Sequence, residues 1–174
     1  SNASAFTARV VAGTKASLHA AITSAIAALS GPAHGGPAEN GSRMAQESSN
    51  PARAADYVKA KRANKGPVMG FGHRVYRAED PRARHMRAGV EKLSREMGQP
   101  KWFRILEALV EVMQPYARHG VNVNVDFYAG VVYFLNGIAE DLFVPVFAVG
   151  RVPGWTVQVQ EQMENNILTR PRTP

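Results

Sequence analysis

The sequence predicts an all-α fold, and two observations carry this prediction. Apolar residues recur three and four positions apart along most of the 174 residues, the spacing that places them on one face of an α-helix. Alternation of apolar and polar residues, which indicates a β-strand, is nearly absent. The one candidate strand is Val121–Val125, which is too short to build a sheet. We therefore expect helices joined by turns and loops.

In the first part of the chain, the residues around Phe6 and Val10 predict a short amphipathic helix, and Lys15–Leu29 predicts a longer one. One apolar stripe of the longer helix is expected to face the core, and it consists of Leu18, Ile22, Ala25, Ile26 and Leu29. Gly31-Pro32 then ends the helix, because proline lacks a backbone N–H. The polar residues 34–51 are expected to form a loop, and Ala52–Asn64 a charged surface helix.

Five further helical segments are predicted in the rest of the chain. Gly98 and Gly137 follow two of them as carboxyl-terminal caps. Pro145 is compatible with a helix only if it lies in the first turn. Trp155 is expected to be a packing group. The five segments are residues 86–97, 103–113, 126–136, 140–150 and 155–165.

Composition excludes several classes of function. The chain has no cysteine, so disulfides, zinc–thiolate sites and thiol nucleophiles are excluded. No apolar run approaches the length of a membrane span, and 45% apolar residues indicate a globular protein. The net charge of +7 indicates anionic partners, and with scattered arginines a small polyanion is at least as good a candidate as nucleic acid. We expect a cytoplasmic protein that engages no metal, nucleic acid or membrane.

Three titratable residues in glycine-rich or turn contexts are the candidates for catalysis: His34, His73 and Asp126. A carboxylate that takes a carbon-bound proton, with imidazoles that stabilise an enolate oxygen and a carbonyl, would abstract a proton next to a carbonyl group. Three arginines could hold a dicarboxylate by paired hydrogen bonds, namely Arg82, Arg151 and Arg170. Each residue also has a plain alternative role, as a structural histidine, a helix N-cap or a solvated charge.

Three motifs of this chain resemble those of citrate synthases. Residues 67–84 contain Gly-Phe-Gly-His-Arg-Val-Tyr followed by Asp-Pro-Arg-Ala, residues 31–36 read Gly-Pro-Ala-His-Gly-Gly, and residues 123–126 read Val-Asn-Val-Asp. The motifs occur in the order found in that family. The resemblance implies condensation of an acyl-CoA thioester, acetyl-CoA above all, with oxaloacetate to give citrate and CoA.

The resemblance also implies a role for each candidate residue. His34 would hydrogen-bond the thioester oxygen, Asp126 would remove the α-proton, and His73 would polarise the oxaloacetate carbonyl. Arg82, Arg151 and Arg170 would bind the substrate carboxylates. Coenzyme A would enter as a substrate, with no bound cofactor, and its adenine end would meet a backbone loop formed by Ala33, Pro67, Val68, Met69, Gly70 and Gly72.

Family members are about twice as long as this chain, so the resemblance implies a carboxy-terminal portion of such an enzyme. Residues 37–132 would be the small domain, and residues 1–36 and 133–174 would be helices that belong to a large domain. Six apolar residues would then lack their usual partners: Phe134, Leu135, Leu142, Phe143, Val146 and Phe147. We expect self-association or docking of a separate amino-terminal chain, with little or no activity of this chain alone. The alternative is a non-catalytic module that binds acyl-CoA or a partner protein. The motifs do not distinguish citrate from 2-methylcitrate synthesis.

Overall fold

The computed structural model describes residues 2–64, 66–73 and 75–170, without the side chains of residues 37–39. Within these residues the chain forms eight α-helices and no strand, which confirms the all-α prediction. A single antiparallel bridge pairs Phe71 with Val123, within the segment considered as a strand. The helices are α1 (Ala3–Gly13), α2 (Leu18–Leu29), α3 (Pro37–Ser48), α4 (Ala54–Ala63), α5 (Pro81–Glu96), α6 (Lys101–Met113), α7 (Val125–Leu135) and α8 (Phe143–Glu164).

The chain divides into two compact units. Unit 1 consists of Ser1–Gly36 and Val144–Pro174, and unit 2 consists of Pro37–Phe143. Unit 1 therefore holds α1, α2 and nearly all of α8, whereas unit 2 holds α3 to α7. Each unit has its own apolar core.

The core of unit 1 is built largely from alanine. Ala5, Ala8 and Ala12 of α1 are buried together with Ala21 and Ala25 of α2. Small side chains let the two helix backbones approach closely. Trp155 and Val159 of α8 complete this core.

The predicted core stripe of α2 is correct for Ala25 and Leu29 and wrong for two other residues. Leu18 and Ile26 are exposed, and Ala21 is buried in their place. Helix α2 has apolar residues on two faces, and periodicity alone does not distinguish them. The face with small side chains packs against α1, which leaves the larger side chains outside.

The core of unit 2 surrounds α6 and α7. Ile105, Leu106 and Leu109 of α6 are fully buried, as are Phe127 and Val131 of α7 within one cluster. The apolar spacing of the two segments predicted both helices. Gly98 and Gly137 follow helix ends, as predicted, and the structure gives both a positive φ.

The predicted loop at residues 34–51 is wrong, because α3 occupies most of it. Helix α3 packs against α7, and a Cβ atom at Gly41 would lie 2.9 Å from the carbonyl oxygen of Asp126. Met44 and Ala45 of the same helix are buried. Tertiary packing thus stabilises a helix whose glycine and serine content disfavours it locally.

The two helices predicted at residues 140–150 and 155–165 are one continuous helix, α8. Pro145 lies in its first turn as expected, but Pro153 lies in its interior. The helix continues because its second half is held in unit 1. Arg9 of α1 donates hydrogen bonds to Gln158 at 2.9 Å and Glu161 at 2.6 Å.

Several apolar side chains on α2, on α8 and just before α8 are exposed. Of the six residues expected to lack partners, Leu135 and Phe143 are buried within the chain, whereas Leu142 and Val146 are exposed. Among the described residues, one helical segment, Glu140–Glu164, is long and apolar enough to cross a membrane, with a mean hydropathy of 1.3. This finding differs from the expectation that no apolar run approaches the length of a membrane span. Helices in the cores of water-soluble proteins meet the same two criteria.

Candidate functional site

His34 lies in a tight turn between α2 and α3. The backbone N–H groups of His34 and Gly35 both donate to the carbonyl oxygen of Gly31 at 2.9 Å. A Cβ atom at Gly35 would lie 2.2 Å from the carbonyl oxygen of Leu29, so only glycine fits there. The Gly-Gly pair that follows His34 therefore allows the turn that presents its imidazole.

The Nε2 atom of His34 is surrounded by hydrogen-bond donors. The backbone N–H of Ser4 lies 3.3 Å from Nε2, and Nη1 of Arg151 lies 3.4 Å from it. Neither group can accept a hydrogen bond. The Nε2 atom must therefore accept, which places the proton of the neutral ring on Nδ1.

The hydrogen bonds of the Ser4 hydroxyl are consistent with this tautomer of His34. Its oxygen lies 3.0 Å from Nε2 of His34, and it accepts hydrogen bonds from Arg151 and from the indole Nε1 of Trp155, both at 3.2 Å. A hydroxyl oxygen has two acceptor positions, and these two donors fill them. A proton on Nε2 of His34 would then find no acceptor at Ser4.

Burial and charge keep His34 neutral. Burial is the larger cause that lowers the pKa of His34 below its ordinary value of 6.5, and the positive charge of Arg151 adds to it. The guanidinium of Arg151 also lies over the ring of Phe147, 4.5 Å from its centre. The arrangement makes His34 a neutral donor with one N–H directed away from Ser4.

A cavity of about 320 Å³ in unit 1 adjoins these groups. Arg151 and Trp155 contribute to its lining, and so does Asn2, whose side chain caps α1 by accepting from the Ala5 N–H at 3.0 Å. Sequence reasoning missed Ser4 and assigned Trp155 only a packing role. The contacts of Ser4 arise only in the folded chain, where residues far apart in sequence meet.

In unit 2, the loop that carries His73 is tied to the start of α7. The Gly72 N–H donates to the carbonyl oxygen of Asn122 at 2.7 Å, and the Asn124 N–H donates to that of Gly70 at 3.0 Å. Gly70 has a φ of +79°, and a Cβ atom there would lie 2.7 Å from the side chain of Phe127. Both backbone conformation and space require glycine at this position.

His73 is also locked on one side. Its Nδ1 atom accepts hydrogen bonds from the backbone N–H groups of Val75 at 3.0 Å and Tyr76 at 3.1 Å. The proton of the neutral ring is therefore on Nε2, on the side opposite to the turn. The ring lies 4.7 Å from that of Tyr76, centre to centre. His73 thus resembles His34 in having one nitrogen occupied and one N–H available for donation.

Asp126 is a half-buried residue in the first turn of α7. Its backbone N–H donates to the side-chain oxygen of Asn124 at 3.0 Å, which caps the helix. The amide nitrogen of the same Asn124 donates to the Gly72 carbonyl at 2.8 Å. Asn124 therefore joins the helix that carries Asp126 to the loop that carries His73.

Arg82 lies near Asp126 and Tyr76. Its guanidinium donates to both carboxylate oxygens of Asp80, at 3.0 and 2.7 Å. These hydrogen bonds are the first cause that raises the pKa of Arg82, and the charge of Asp126 is a smaller one. The guanidinium also lies 6.0 Å from the centre of the Tyr76 ring. Unit 2 thus brings together His73, Arg82 and Asp126, and Asp80, Tyr76 and Asn124 are their partners that sequence reasoning did not identify.

The remaining predicted residues are divided between the units. Arg170 is exposed beyond α8, and Ala33 is exposed in the His34 turn, so both belong to unit 1. In unit 2, Val68 and Gly70 are buried, whereas Pro67 is exposed and Met69 and Gly72 are partly exposed. Among the described residues, no group of three or more histidine and acidic side chains could hold a metal ion.

Comparisons with known proteins identify relatives along the whole chain. A family model described as "Citrate synthase, C-terminal domain" matches residues 1–172. Citrate synthase 2 of Bacillus subtilis is 42% identical over 171 residues, which are 98% of this chain and 45% of that protein. The 2-methylcitrate synthase 1 of Corynebacterium glutamicum is also 42% identical, over 98% of this chain and 44% of that protein.

A solved structure with bound ligands matches as well. It is the ternary complex of carboxymethyl coenzyme A and oxaloacetate with citrate synthase from Thermoplasma acidophilum. The match has a TM-score of 0.88 and 33% identity, and it covers 99% of this chain and 47% of that one. The chain thus spans about half the length of the relatives that it matches.

Proposed function

Because this chain belongs to the citrate synthase family, as its three motifs predicted, we propose that its residues serve a Claisen-type condensation. The proposed substrates are acetyl-CoA and oxaloacetate, and the products are citrate and free CoA. Coenzyme A takes part as a thioester substrate rather than as a resident cofactor. The bound carboxymethyl coenzyme A and oxaloacetate of the Thermoplasma relative support this choice of ligands.

The state of the two imidazoles supports the proposal most strongly. Each has one ring nitrogen occupied by donors, so that the neutral ring offers a single N–H on the other nitrogen. Neutral donors of this kind stabilise negative charge that develops on an oxygen during a reaction. A carboxylate at Asp126 adds the base that such a reaction needs.

The proposed reaction has three steps. Asp126 takes a proton from the methyl carbon of acetyl-CoA, while Nδ1–H of His34 donates to the thioester oxygen of the forming enol. The enol carbon then bonds to the ketone carbon of oxaloacetate, and the ketone π bond breaks. The ketone oxygen takes the Nε2 proton of His73 and becomes the hydroxyl of citryl-CoA, while the enol proton passes back to His34. Water finally adds to the thioester carbon, the C–S bond breaks, and CoA leaves with a proton on sulfur.

The other predicted residues have binding roles in this proposal. Arg82, Arg151 and Arg170 bind the carboxylates of oxaloacetate, since a guanidinium forms paired hydrogen bonds with a carboxylate. The loop at Pro67–Gly72, with Ala33, receives the adenine end of coenzyme A. The close pairing of this loop with residues 122–124 supports a fixed backbone there.

We propose that a further chain completes the protein, either a second copy or a separate amino-terminal chain. Exposed apolar residues support this: Leu18 and Ile26 on α2, and Val146, Val149 and Val157 on α8. Burial of one such side chain is worth roughly 1.5–3 kcal/mol. The chain alone is proposed to be weakly active or inactive, because it spans about half of its relatives.

Release of CoA from acetyl-CoA and oxaloacetate tests the proposal. We expect release when the chain is combined with a separately produced amino-terminal half of the Bacillus subtilis relative. Asp126→Asn should lower the rate at least about 100-fold, the typical contribution of a catalytic base. The matched control is Asp56→Asn, which removes an exposed carboxylate from the first turn of α4 and should leave the rate unchanged.

The second candidate function is a non-catalytic module that binds acyl-CoA or a partner protein. The short span of the chain relative to its relatives favours it. Calorimetry that detects CoA binding, without CoA release even when the amino-terminal half is present, would support this candidate and exclude the first. Relatives named for citrate and for 2-methylcitrate are equally identical to the chain, so the same assay should compare acetyl-CoA with propionyl-CoA.

A further inference from the structure

Asp80 differs from the other acidic residues that the structure describes, because it alone among them is buried. Its side chain is 0% exposed. An ionised carboxylate removed from water is unfavourable unless hydrogen bonds and opposite charge replace its hydration. The partners of Asp80 therefore indicate what this residue holds in place.

Both oxygens of the Asp80 carboxylate are fully engaged. The oxygen Oδ1 accepts from the backbone N–H and from Nε of Arg82, both at 3.0 Å. The oxygen Oδ2 accepts from Nη2 of Arg82 at 2.7 Å and from the backbone N–H of Val125 at 3.3 Å. Burial, the largest single cause, would raise the pKa of Asp80, but the hydrogen bonds and charge of Arg82 and the Val125 N–H together outweigh it, and the pKa lies below its ordinary value.

The first consequence concerns Arg82, whose side chain is 50% exposed. A guanidinium has five N–H donors in a rigid plane, and two of them are bound to Asp80. The other three lie on Nη1 and Nη2, at the far end of the group. Asp80 thus binds the guanidinium of Arg82 through Nε and Nη2. This fixes the direction of the remaining N–H groups, which can bind a second carboxylate.

The second consequence concerns α7. Val125, which donates to Asp80, immediately precedes Asp126. The backbone N–H of Asp80 also donates to the carbonyl oxygen of Val123 at 3.1 Å. One buried side chain therefore connects the first turn of α5, which carries Arg82, with the first turn of α7, which carries the base.

We propose that Asp80 is a positioning residue, which fixes the guanidinium of Arg82 and the first turn of α7 in the arrangement that oxaloacetate binding requires. The inference rests on the proposed function for the roles of Arg82 and Asp126. The alternative is that Asp80 only caps α5. A cap needs one acceptor oxygen, whereas positioning needs both.

Asp80→Asn in the full 174-residue chain separates the two roles. Asparagine caps a helix as well as aspartate does. The fold should therefore persist, and so should the hydrogen bond from the backbone N–H of Arg82 to the side-chain oxygen at position 80. Its amide nitrogen cannot accept from Nη2 of Arg82 or from Val125. We expect faster hydrogen exchange at Nη2 of Arg82 and at the Val125 N–H by NMR. The Asn136 N–H, which donates to the Val132 carbonyl at 3.1 Å at the far end of α7, serves as internal reference and should not change.

The matched control is Glu79→Gln. This change removes the neighbouring carboxylate, which pairs with exposed Arg84 at 3.1 Å, and it should leave the Arg82 and Val125 signals as they are. If Asp80→Asn does not fold, Asp80→Glu keeps the buried charge but moves it by one methylene, and the same two signals should change. Unchanged exchange at both groups in a folded variant would overturn the proposal.

Affinity for oxaloacetate tests whether Asp80 acts through Arg82. Asp80→Asn should weaken oxaloacetate binding by about tenfold, since an unfixed side chain must be ordered on binding. In an Arg82→Gln background the same change should have no further effect. Equal losses in both backgrounds would overturn the proposal. Absence of oxaloacetate binding by the unaltered chain would instead count against the proposed function, and the exchange measurements would still decide the role of Asp80.

Discussion

At the residue scale, the two histidines of the candidate site have the same hydrogen-bonding arrangement. In each ring, backbone N–H groups occupy one nitrogen and leave the other as the donor, Nδ1 in His34 and Nε2 in His73. The donors come from Ser4, thirty positions before His34, and from Val75 and Tyr76, directly after His73. The tautomer of each neutral ring is thus set by these hydrogen bonds before any substrate binds.

We expect His34 to titrate below pH 6.5 in the folded chain, because burial and then Arg151 lower its pKa. Its proton affinity is higher in the unfolded chain, so this residue makes folding less favourable as the pH falls below 6.5. Arg151→Gln should raise the pKa but leave it under 6.5, since the larger cause remains. The measurement is the pH dependence of the His34 ring signals by NMR.

Arg9→Gln provides the control for this titration. It removes the same charge from α1, where Arg9 pairs with Glu161, and should not change the His34 midpoint. A midpoint at or above 6.5 in the unaltered chain would contradict the burial of this imidazole.

The sequence predicted candidate reactive residues but not the residues that hold them in place. His34, His73, Arg82 and Asp126 lie in short motifs that can be recognised in one chain. Ser4 and Trp155, in contrast, are 151 positions apart in the sequence and meet only in the folded chain. A buried serine with several partners has no local sequence pattern, so the network around His34 could not be predicted.

At the scale of elements, the packing of the His73 loop on α7 depends on Gly70. Gly70→Ala should destabilise the chain by about 2–5 kcal/mol, from the left-handed backbone and the overlap with Phe127. Gly89→Ala is the matched change on the exposed surface of α5, where a Cβ atom meets nothing within 4 Å. It should stabilise by about 0.5–1 kcal/mol, because alanine favours a helix. Urea unfolding measures both, and equal effects would contradict the role of Gly70.

The errors in predicting elements have two physical causes. Helix α3 contains Gly41 and two serines, and it is helical because its small residues fit against α7. Helix α8 continues through Pro153, where local rules predict a break, because contacts on both sides hold it. Strongly periodic segments such as α6 were predicted correctly, since there local preference and packing agree.

At the scale of the whole molecule, the exposed apolar faces of α2 and α8 predict association. On α8 the exposed residues Val146, Val149 and Val157 are spaced by three and eight positions, which places them on one side of the helix. Monomeric proteins rarely expose extended apolar surfaces of this kind. The division into two units with separate cores could not be predicted from periodicity, which describes each helix alone.

We expect the chain to sediment as a species heavier than its 18.9 kDa monomer, or to bind the amino-terminal half of a relative. Val149→Glu should weaken this association at least about tenfold, because a charge would enter an apolar contact. The control is Val75→Glu, at a residue that is 72% exposed, compared with 73% for Val149, but lies in unit 2. The prediction would be contradicted if the chain stays monomeric at all concentrations and also does not bind the added amino-terminal half.

The division of the chain also determines the order of assembly during synthesis. Unit 2 is contiguous, whereas unit 1 joins residues 1–36 to a stretch that the ribosome makes only after residue 143. Synthesis proceeds at about 5–20 residues per second. For several seconds, therefore, Trp155 and Val159 are not yet present to cover the alanine face of the nascent α1–α2 pair. Because Arg151 follows His34 by 117 positions, we expect the contact between the two side chains to form late in synthesis.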